Sequence, residues 1–252
     1  MVERKVLINT LNEWLQPQLF KDYCPNGLQV EGKPHIKKIV TGVTASQALI
    51  DRAIKLQADA LLVHHGYFWR GEAEPVVGMK KKRLQALLAH EINLLAYHLP
   101  LDAHPELGNN AQLAKLLGLK VTQGMDTDIN TSIGLVGEVS GELTVEQFAQ
   151  QITKVLGRSP LVIQSGNQPI KKVAWCTGAA QGFIEKAVQL GVDAYLSGEI
   201  SEPTVHIARE LGIHYFAAGH HASERYGIKA LGEALADHFG IEHIFVDIDN
   251  PV

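Results

Sequence analysis

Two hydrophobic patterns alternate along the first half of the chain: short continuous apolar runs, and segments whose apolar residues recur every three to four positions. The runs Ile39–Val43, Asp59–Val63 and Ile92–Tyr97 predict buried strands, because a strand covered on both faces is apolar at nearly every position. The recurring positions predict amphipathic helices before and between these strands. The helices are expected at Val6–Leu15, around Leu49, Ile50, Ala53 and Ile54, at Leu84–His90 and at Ala111–Leu117.

The second half continues the alternation of strands and helices. Thr144–Leu156 predicts a helix that is capped by Thr144 and has Glu146 in its first turn. The other expected helices lie around Phe183, Ile184, Ala187 and Val188 and at Ile228–Phe239. The expected strands are Ile133–Val139, Leu161–Gln164, Val173–Cys176, the segment that ends at Leu196, His214–Gly219 and Ile244–Val246.

One segment of the chain occurs twice. Ile36–Leu62 aligns with Ile170–Leu196 at a constant offset of 134 residues without a gap, and 11 of the 27 aligned positions are identical. Each copy contains a strand, a helix and a second strand, which is the βαβ unit of parallel sheets with right-handed crossovers. The sequence therefore predicts an α/β fold of two similar α/β domains from an internal duplication, with mostly parallel sheets covered by helices.

The two expected domains divide the chain near its middle. Residues 1–126 form an N-terminal half that carries His64, His65 and Asp102, and residues 127–252 form a C-terminal half that carries His220 and Glu224. The segment Gln123–Thr131 shows the least regular pattern and is the expected linker between the halves.

Composition narrows the class of protein. The net charge of −4 over 252 residues provides no broad basic field for nucleic acid or an anionic membrane, so any phosphate binding must be local. The two cysteines, Cys24 and Cys176, are far apart, which argues against a disulfide framework and against a cysteine-ligated zinc site. No apolar segment has the length of a signal sequence or a bilayer span, and we therefore expect a cytoplasmic protein.

Candidate metal ligands stand at the ends of the predicted strands. His64 and His65 end one of them, and neutral imidazoles and carboxylates are the groups that divalent ions take from a protein. Adjacent side chains of an extended segment point to opposite sides, so the two can hardly share one ion unless the strand bends sharply before Gly66. Either one histidine is a spare or there are two metals. A single histidine at a strand end is more often an ordinary core or surface residue, and only the constellation favours a site.

Two His-x-x-x-carboxylate pairs follow other strands, His98 with Asp102 and His220 with Glu224. An offset of 122 residues lays the first pair over the second. Open α/β sheets place their binding crevices at the carboxyl ends of strands, so the pairs are expected to face one cleft. Pro100 predicts a non-helical segment for the first pair, whereas the second pair could open a helix with both side chains on one face.

Five segments carry ordered motifs across nearly the whole chain: Tyr23–Val30, Val63–Gly66, Tyr97–Asp102, Ser197–Glu199 and Gly219–Arg225. Together they resemble the motifs of the NIF-three-like family, whose bacterial members are called GTP cyclohydrolase 1 type 2 homologues. The chain is similar to the short YbgI-type branch of that family. The resemblance implies a toroidal homohexamer of two-domain α/β subunits, with a dinuclear metal site at the domain interface.

Carried over motif by motif, the resemblance implies that the metal ligands are His64, His65, Asp102, His220 and Glu224. Five protein ligands for two ions require sharing, and the carboxylate of Glu224 or Asp102 is the group able to bridge, because a neutral imidazole offers one lone pair. The chain departs from the common pattern at His221, where many members have tyrosine, and this leaves a possible extra ligand. It also lacks the long insertion between the halves that some relatives have, which removes a candidate regulatory domain.

Other polar and aromatic segments allow both a functional and a structural interpretation. His98 and Glu199 lie next to ligands and are the candidate catalytic residues. They could be partners of the ligands or proton shuttles, and the alternative is that they are ordinary polar residues at strand ends. Tyr67–Trp69 could stack a nucleobase, although core or subunit interface is the commoner role. Lys80–Arg83 could bind phosphate or line a ring opening, although such runs are usually only solvated. Cys24 has the setting of a packed thiol.

We expect a dinuclear metal-dependent hydrolase that acts on a nucleotide or a related heterocycle and binds two divalent cations per subunit. Zinc, iron, manganese and nickel all suit these ligands. The GTP cyclohydrolase-like reaction comes from the resemblance alone. Two alternatives stay open: a non-enzymatic metal-binding oligomeric platform for protein or nucleic-acid partners, and a two-metal phosphoesterase. Glycine-rich phosphate loops are missing, so nucleotide recognition would have to come from the cleft.

Overall fold

The computed structural model describes residues 1–126 and 128–252. Its contacts group the chain into two compact units. Unit 1 comprises residues 1–101 and 227–249, and unit 2 comprises residues 102–226 and 250–252. The boundary expected between residues 126 and 127 adjoins Thr127, which lies outside the described residues, and it remains a prediction.

Helices and strands alternate along most of the described chain. The strands are β1 (Val2–Glu3), β2 (Gly27–Val30), β3 (His35–Ile36), β4 (Lys38–Thr44), β5 (Ala60–His65), β6 (Asn93–Ala96), β7 (Lys120–Gly124), β8 (Leu135–Leu143), β9 (Leu161–Ile163), β10 (Ile170–Cys176), β11 (Ala194–Ser197), β12 (His214–Ala217) and β13 (Glu242–Phe245). The helices are α1 (Arg4–Leu15), α2 (Gln47–Lys55), α3 (Gly78–Ala89), α4 (Leu99–Ala103), α5 (Asn109–Leu117), α6 (Val145–Leu156), α7 (Ile184–Gln189), α8 (Glu202–Leu211) and α9 (His220–Phe239). Short 3-10 helices occur at Pro17–Leu19 and Gln181–Phe183.

Unit 1 is built on a five-stranded sheet with the order β13-β4-β5-β6-β2. The first four strands of this order run parallel, and β2 pairs antiparallel with β6. β5 and β6 are buried along nearly their whole length, which explains their continuous apolar sequences. Residues 227–249 belong to unit 1, rather than with the predicted C-terminal half, because β13 returns to pair with β4.

Unit 2 contains a six-stranded sheet with the order β7-β8-β10-β11-β12-β9. Only the pairs β10-β11 and β11-β12 are parallel, and the other three pairs are antiparallel. The prediction of mostly parallel sheets is therefore wrong for this unit, and both sheets are mixed. The sequence of β8 carries the signal, because Glu138, Ser140 and Glu142 alternate with less polar residues, as in an antiparallel strand with one solvated face.

Both faces of the unit 2 sheet are covered by apolar residues. Trp175 and Phe216 pack with Phe148 of α6 on one side, where Phe148 and Phe216 meet edge to face with ring centroids 5.0 Å apart. Tyr195 and Tyr215, from alternate strand positions, belong to the other core cluster. In unit 1 one apolar cluster joins buried residues of β4, β5 and β6 to α2 and α3.

The two βαβ segments share one set of hydrogen bonds. In unit 1 the carboxylate of Asp59 accepts from the backbone N–H groups of Lys37 and Lys38, at 2.9 and 3.2 Å. In unit 2 Asp193 accepts from the N–H groups of Lys171 and Lys172, at 2.9 and 2.8 Å. The aligned sequences thus make the same hydrogen bonds at the start of β4 and at the start of β10.

The segment around Pro100 is helical, contrary to the prediction. Pro100 is the second residue of α4. Proline is tolerated in the first turn of a helix, where its missing N–H has no intrahelical acceptor to lose, so it does not exclude a helix that begins at Leu99. Asp102 consequently lies on a helix.

Three predicted segments have different bounds in the structure. The expected linker Gln123–Thr131 is irregular only in part, because β7 extends through Gly124, and Thr127 within it lies outside the described residues. Helix α3 begins at Gly78, so the basic run Lys80–Arg83 lies in its first turns. Helix α9 begins at His220 and includes the predicted helix Ile228–Phe239. Among the described residues no helix combines the length and apolar character needed to cross a membrane.

Candidate metal centre

Unit 1 brings three imidazoles together at one edge of its sheet. His64 and His65 end β5, and His98 follows its parallel neighbour β6, so all three stand where the two strands end. The ring centroids are 4.4 Å apart for His64 and His65, 5.1 Å for His64 and His98, and 5.7 Å for His65 and His98. Each ring offers a nitrogen within 4.8 Å of the other two, which is a spacing compatible with a metal ion.

The expectation that His64 and His65 point to opposite sides is wrong, because their rings lie against each other and both contact His98. The chain departs from β5 at Gly66, where a Cβ atom would lie 2.6 Å from the Cβ of Ala96. The side chain of Gln29 holds the departing chain, since Oε1 accepts from Tyr67 N–H at 2.7 Å and Nε2 donates to the Tyr67 carbonyl at 3.1 Å. The end of the strand, rather than its regular geometry, sets the two ring positions.

Each of these rings makes a hydrogen bond through Nδ1. His64 bonds to the carbonyl of Tyr97 at 3.0 Å, His65 to the hydroxyl of Thr44 at 3.1 Å, and His98 to the carboxylate of Asp22 at 2.7 Å. A carbonyl and a carboxylate only accept, so Nδ1 of His64 and His98 must donate. A neutral imidazole that donates from Nδ1 carries its lone pair on Nε2, which is therefore the atom suited to a metal or a substrate.

Asp22 is held by four donors. Oδ1 accepts from His98 and from the N–H of Tyr23, at 2.7 and 2.6 Å, and Oδ2 accepts from the Asn26 amide and the N–H of Leu99, both at 2.9 Å. Burial by itself raises the pKa of this carboxyl, but the bonds from His98 and Asn26 and the attraction of His98 lower it to about 2. The carboxylate is thus ionised and rigidly placed beside His98.

In unit 2 the first turn of α9 presents His220 and Glu224 on one face, as their spacing predicts. His220 Nε2 lies 3.2 Å from Glu224 Oε2, and His220 Nδ1 lies 2.7 Å from Glu199 Oε1. Burial lowers the pKa of His220, but its bonds to the two carboxylates and their charges outweigh burial and raise the pKa to about 9.

This contact has the chemistry of a metal site. The raised pKa places a proton on Nε2, between His220 and the Glu224 carboxylate; with Nδ1 donating to Glu199, a divalent cation can take the place of that proton between Nε2 and Oε2. Two ligands bonded to one zinc at about 2.0–2.1 Å lie roughly 3.3 Å apart in a tetrahedral arrangement. The observed 3.2 Å separation fits that arrangement, so the residues present suit a divalent ion.

Gly178 makes room for this pair. It follows β10 with φ of +69°, and a Cβ atom there would collide with Glu224 Oε1 and lie 3.2 Å from His220 Nε2. Its carbonyl accepts from the N–H groups of Gly198 and Glu199, at 3.0 and 3.2 Å. The bare backbone of Gly178 thus links the end of β11 to the two side chains of α9.

Asp102 is oriented by Thr177, which precedes Gly178, and by residues of α5. Its Oδ1 accepts from the amide of Asn109 at 2.9 Å and from the hydroxyl of Thr177 at 3.4 Å. Asn110 donates to the Asp102 carbonyl at 3.3 Å and accepts from the Thr177 N–H at 3.1 Å. Asp102 is only 8% exposed and Glu224 2%, so two carboxylates flank the buried loop Thr177–Gly178.

The structure separates the three aromatic residues that follow the histidine pair. Tyr67 is part of the core, where its hydroxyl donates to the Ala45 carbonyl at 2.6 Å. Phe68 is 38% exposed. Trp69 lies against the imidazoles, with centroids 4.9 Å from His98 and 6.0 Å from His65. Only Trp69 has a place in the candidate site.

Two residues of the basic run Lys80–Arg83 and the two cysteines make contacts typical of structural residues. Lys80 donates to the Ala73 carbonyl at 2.8 Å, and Arg83 lies over the ring of Tyr67. Burial, and then the charge of Asp22, raise the pKa of Cys24 to about 12. Burial also raises the pKa of Cys176, with contributions from Asp102 and Glu224. Both cysteines are free and buried, and their raised pKa values fit packed thiols, as predicted for Cys24.

Several residues that hold the candidate ligands in place were not identified as site residues from the sequence. Asp22 and Asn26 hold His98, Gln29 holds the chain after His65, and Asn109 holds Asp102. Asn26 and Gln29 lie within a family motif, which was their only signal. For His221, the structure shows its N–H donating to the Val252 carbonyl at 2.9 Å, and its role as an extra ligand remains a prediction.

Comparison with known proteins places this arrangement in a family. The model of the family described as Duf34/NIF3 (NGG1p interacting factor 3) matches residues 2–251. The chain belongs to this family. As a family member it is 58% identical to a Vibrio cholerae protein over 96% of both chains, and 55% identical to one from Pseudomonas aeruginosa over 97% of both. Both relatives are named GTP cyclohydrolase 1 type 2 homolog.

Solved structures share the fold of this family member. A structure described as protein ybgI, of unknown function, superposes with a TM-score of 0.96 at 51% identity and covers 100% of both chains. A crystal structure of a Thermus thermophilus protein gives a TM-score of 0.90 at 34% identity, also over 100% of both chains. The resemblance read from the five motifs is therefore confirmed.

Proposed function

We propose that this protein is a hydrolase that uses two divalent metal ions and acts on a nucleotide or a related heterocycle. The observation that carries the proposal is the contact between His220 and Glu224, in which two atoms able to bind a metal ion lie 3.2 Å apart. The relatives named GTP cyclohydrolase 1 type 2 homolog, which are more than half identical over nearly the whole chain, support the choice of reaction.

The proposed ligands are His64, His65, Asp102, His220 and Glu224. When bound, two such ions polarise a substrate oxygen and lower the pKa of coordinated water toward about 7. Zinc, iron, manganese and nickel all accept imidazole and carboxylate ligands, and their order of affinity does not choose among them in a cell. A carboxylate of this set is the group that can be shared between two ions.

The other polar residues would orient these ligands. Glu199 holds His220 through Nδ1, and Asn109 and Thr177 hold one oxygen of Asp102. Hydrogen bonds of this kind fix the direction and raise the basicity of a ligand. In the reaction for which the relatives are named, water adds at C8 of the guanine ring and the imidazole ring opens, which needs ligands held in place while the purine is bound.

The test combines metal analysis with one conservative substitution. Protein purified without a chelator should contain two divalent ions per chain, and Glu224→Gln should weaken metal binding at least roughly tenfold. Glu233→Gln, an exposed glutamate of the same helix, should leave metal content unchanged. A panel of nucleotides and phosphoesters then identifies the substrate. Unchanged metal content and turnover in Glu224→Gln would remove this proposal, and turnover of phosphoesters alone would favour a phosphoesterase.

A second candidate is a metal-binding platform for other macromolecules. It is supported by the description of the matching family, which names an interacting factor. In that role, metal exchange would change partner binding, while no nucleotide would be turned over. Titration of a partner against the metal-loaded and metal-free protein, beside the nucleotide panel, separates the two candidates.

We also propose that the protein is a cytoplasmic homohexameric ring whose halves arose by duplication. The matching bonds of Asp59 and Asp193 support the duplication. Light scattering should give a mass of six chains of 27.6 kDa, and a monomer or dimer at all concentrations would contradict the ring.

A further inference from the structure

Unit 1 contains a carboxylate–imidazole pair with the same hydrogen-bond length as the pair in unit 2. Asp22 Oδ1 lies 2.7 Å from His98 Nδ1, and Glu199 Oε1 lies 2.7 Å from His220 Nδ1. In each case a carboxylate occupies one ring nitrogen and thereby assigns the other, Nε2, to a second partner. His220 is a proposed metal ligand, whereas His98 is not among the proposed ligands, so its Nε2 requires another explanation.

The surroundings of His98 suit contact with a small molecule. Its side chain is 15% exposed, while His64 is fully buried. Trp69 meets its ring at 82° with centroids 4.9 Å apart, and Tyr23 meets it at 65° with centroids 6.4 Å apart. The aromatic neighbours restrict rotation of the ring, and the bond to Asp22 selects which nitrogen faces away from the carboxylate.

The placement of Asp22 is itself over-determined. Besides His98, the carboxylate accepts from Tyr23 N–H, Asn26 Nδ2 and Leu99 N–H, and the Asn26 side chain also accepts from the His98 N–H at 2.8 Å. These bonds keep Asp22 ionised, which agrees with its lowered pKa. A carboxylate that only needed solvation would not require so many fixed donors.

We infer that Asp22 is a positioning residue that holds His98 in the Nδ1–H tautomer, so that Nε2 accepts a hydrogen bond from the water consumed in hydrolysis and orients it beside His64 and His65. This inference rests on the proposed function for the identity of the bound group. The tautomer and its dependence on Asp22 do not rest on it, because they follow from the contacts of this unit alone.

The experiment reads the tautomer directly. Protein labelled with ¹⁵N at histidine is loaded with zinc and examined at pH 8.5 by long-range ¹H–¹⁵N correlation, with His98→Gln used to assign the signals of His98. The expected result is a protonated Nδ1 and an unprotonated Nε2. In Asp22→Asn the amide can either accept or donate, so the preference should be lost and the Nε2–H form should appear. The bound zinc should remain unchanged.

The control is Asp51→Asn, an equivalent change in the same unit at a carboxylate that accepts from Gln47. It should leave the His98 signals unaltered. Where a substrate is known, Asp22→Asn should lower kcat roughly 10- to 100-fold with little change in KM. An Nε2–H tautomer in the unaltered protein, an unchanged tautomer in Asp22→Asn, or loss of zinc from that variant would overturn the inference.

Two other results remain interpretable. If Asp22→Asn does not fold, the tautomer of His98 in the unaltered protein decides the assignment by itself. If neither protein turns over any nucleotide, the hydrolase proposal fails, while the spectrum still confirms or overturns the role of Asp22 in holding His98.

Discussion

The strand ends of the two units align in sequence, but they carry different side chains and different chemistry. At an offset of 134 residues, Thr44, His64 and His65 of unit 1 match Gly178, Gly198 and Glu199 of unit 2. In unit 1 the hydroxyl of Thr44 holds His65, and the two histidines are themselves the candidate ligands. In unit 2 the matching positions have either no side chain or, at Glu199, a carboxylate bonded to His220.

The difference shows two ways to build a ligand site on a βαβ unit. In unit 1 the strand supplies imidazoles directly, and the following chain is held aside by Gln29. In unit 2 the strand end is reduced to bare backbone, and this lets the first turn of α9 approach with His220 and Glu224. Glycine at these positions is therefore as much a part of the candidate site as the ligands.

The largest expected effect follows from giving the strand end of unit 2 a side chain. In Gly198→Ala the new Cβ would lie 2.6 Å from the Gly178 carbonyl oxygen and 2.7 Å from the Cα of His220, so backbone must move. We expect a loss of about 1–3 kcal/mol in the free energy of unfolding, together with weaker metal binding. Urea denaturation and metal titration measure both.

The matched control for this change is Gly182→Ala, since a Cβ at Gly182 meets no atom within 4 Å. It should change the free energy of unfolding by less than about 1 kcal/mol. Equal effects of the two substitutions would show that the close approach at Gly198 is not what the bare strand end provides.

A second prediction concerns the space for Glu224. Gly178→Ala adds a Cβ that collides with Glu224 Oε1, at a residue whose φ is +69°. Gly191→Ala carries a similar backbone strain, with φ of +63°, but its Cβ would meet nothing within 4 Å. Both should lose about 1–2 kcal/mol of stability from the strained backbone, and only Gly178→Ala should reduce metal affinity. Isothermal titration with zinc tests this, and equal metal affinity in both variants would contradict it.

A third prediction compares the two outer carboxylates. Glu199→Gln removes the charge that faces His220 Nδ1, a proposed ligand, so metal affinity should fall roughly 10- to 100-fold. Asp22→Asn removes the corresponding charge from His98 and should leave metal affinity unchanged within about twofold. Competition with a chelator of known affinity measures both. A larger loss of metal in Asp22→Asn than in Glu199→Gln would reverse the assignment of the two histidines.

The smallest expected effect distinguishes the two matched aspartates, Asp59 and Asp193. Asp59 makes the bonds that Asp193 makes and also pairs with Lys33 at 2.8 Å. Asp59→Asn should therefore destabilise the protein more than Asp193→Asn, by no more than about 1 kcal/mol for a partly exposed pair.

The contribution of Asp59 to the free energy of unfolding should depend on pH. Burial raises the pKa of Asp59, but the bonds from Lys33, Lys37 and Lys38 outweigh burial and lower it. The contribution of Asp59 is therefore complete above the unfolded pKa of about 3.9 and is lost as pH falls through the lower folded value. Denaturation curves of the unaltered protein and Asp59→Asn should converge below about pH 4. A gap that widens there would contradict the assignment.

Much of the fold could be predicted because burial leaves a strong pattern. The continuous apolar runs of β4, β5 and β6 identified the centre of the unit 1 sheet. Of the two edge strands of unit 2, β7 was missed, since it is largely exposed, whereas β9 was predicted as Leu161–Gln164 and only its antiparallel pairing with β12 was not. Short edge strands bury little and carry weak periodicity, so their pairing depends on neighbours that a local pattern does not contain.

The candidate site was likewise predictable only in part. Its ligand types were predictable, because imidazoles and carboxylates at strand ends are visible in the sequence and carry a family motif. The partners of those ligands were not, since Asp22 and His98 are 76 residues apart and Asn110 and Thr177 are 67 apart. Hydrogen bonds between such distant residues depend on the packing of whole elements, and the type of residue alone does not reveal them.

The sequence by itself determined the family, the two aligned strand–helix–strand segments and the chemical identity of the candidate ligands, because these depend on residue type and spacing along the chain. Only the tertiary structure decided that His64 and His65 face the same way, that α4 contains Pro100, and that bare glycine at Gly178 admits Glu224. The physical reason is that side-chain direction at the end of a strand is set by the atoms that close in around it, and most of those atoms come from distant parts of the chain.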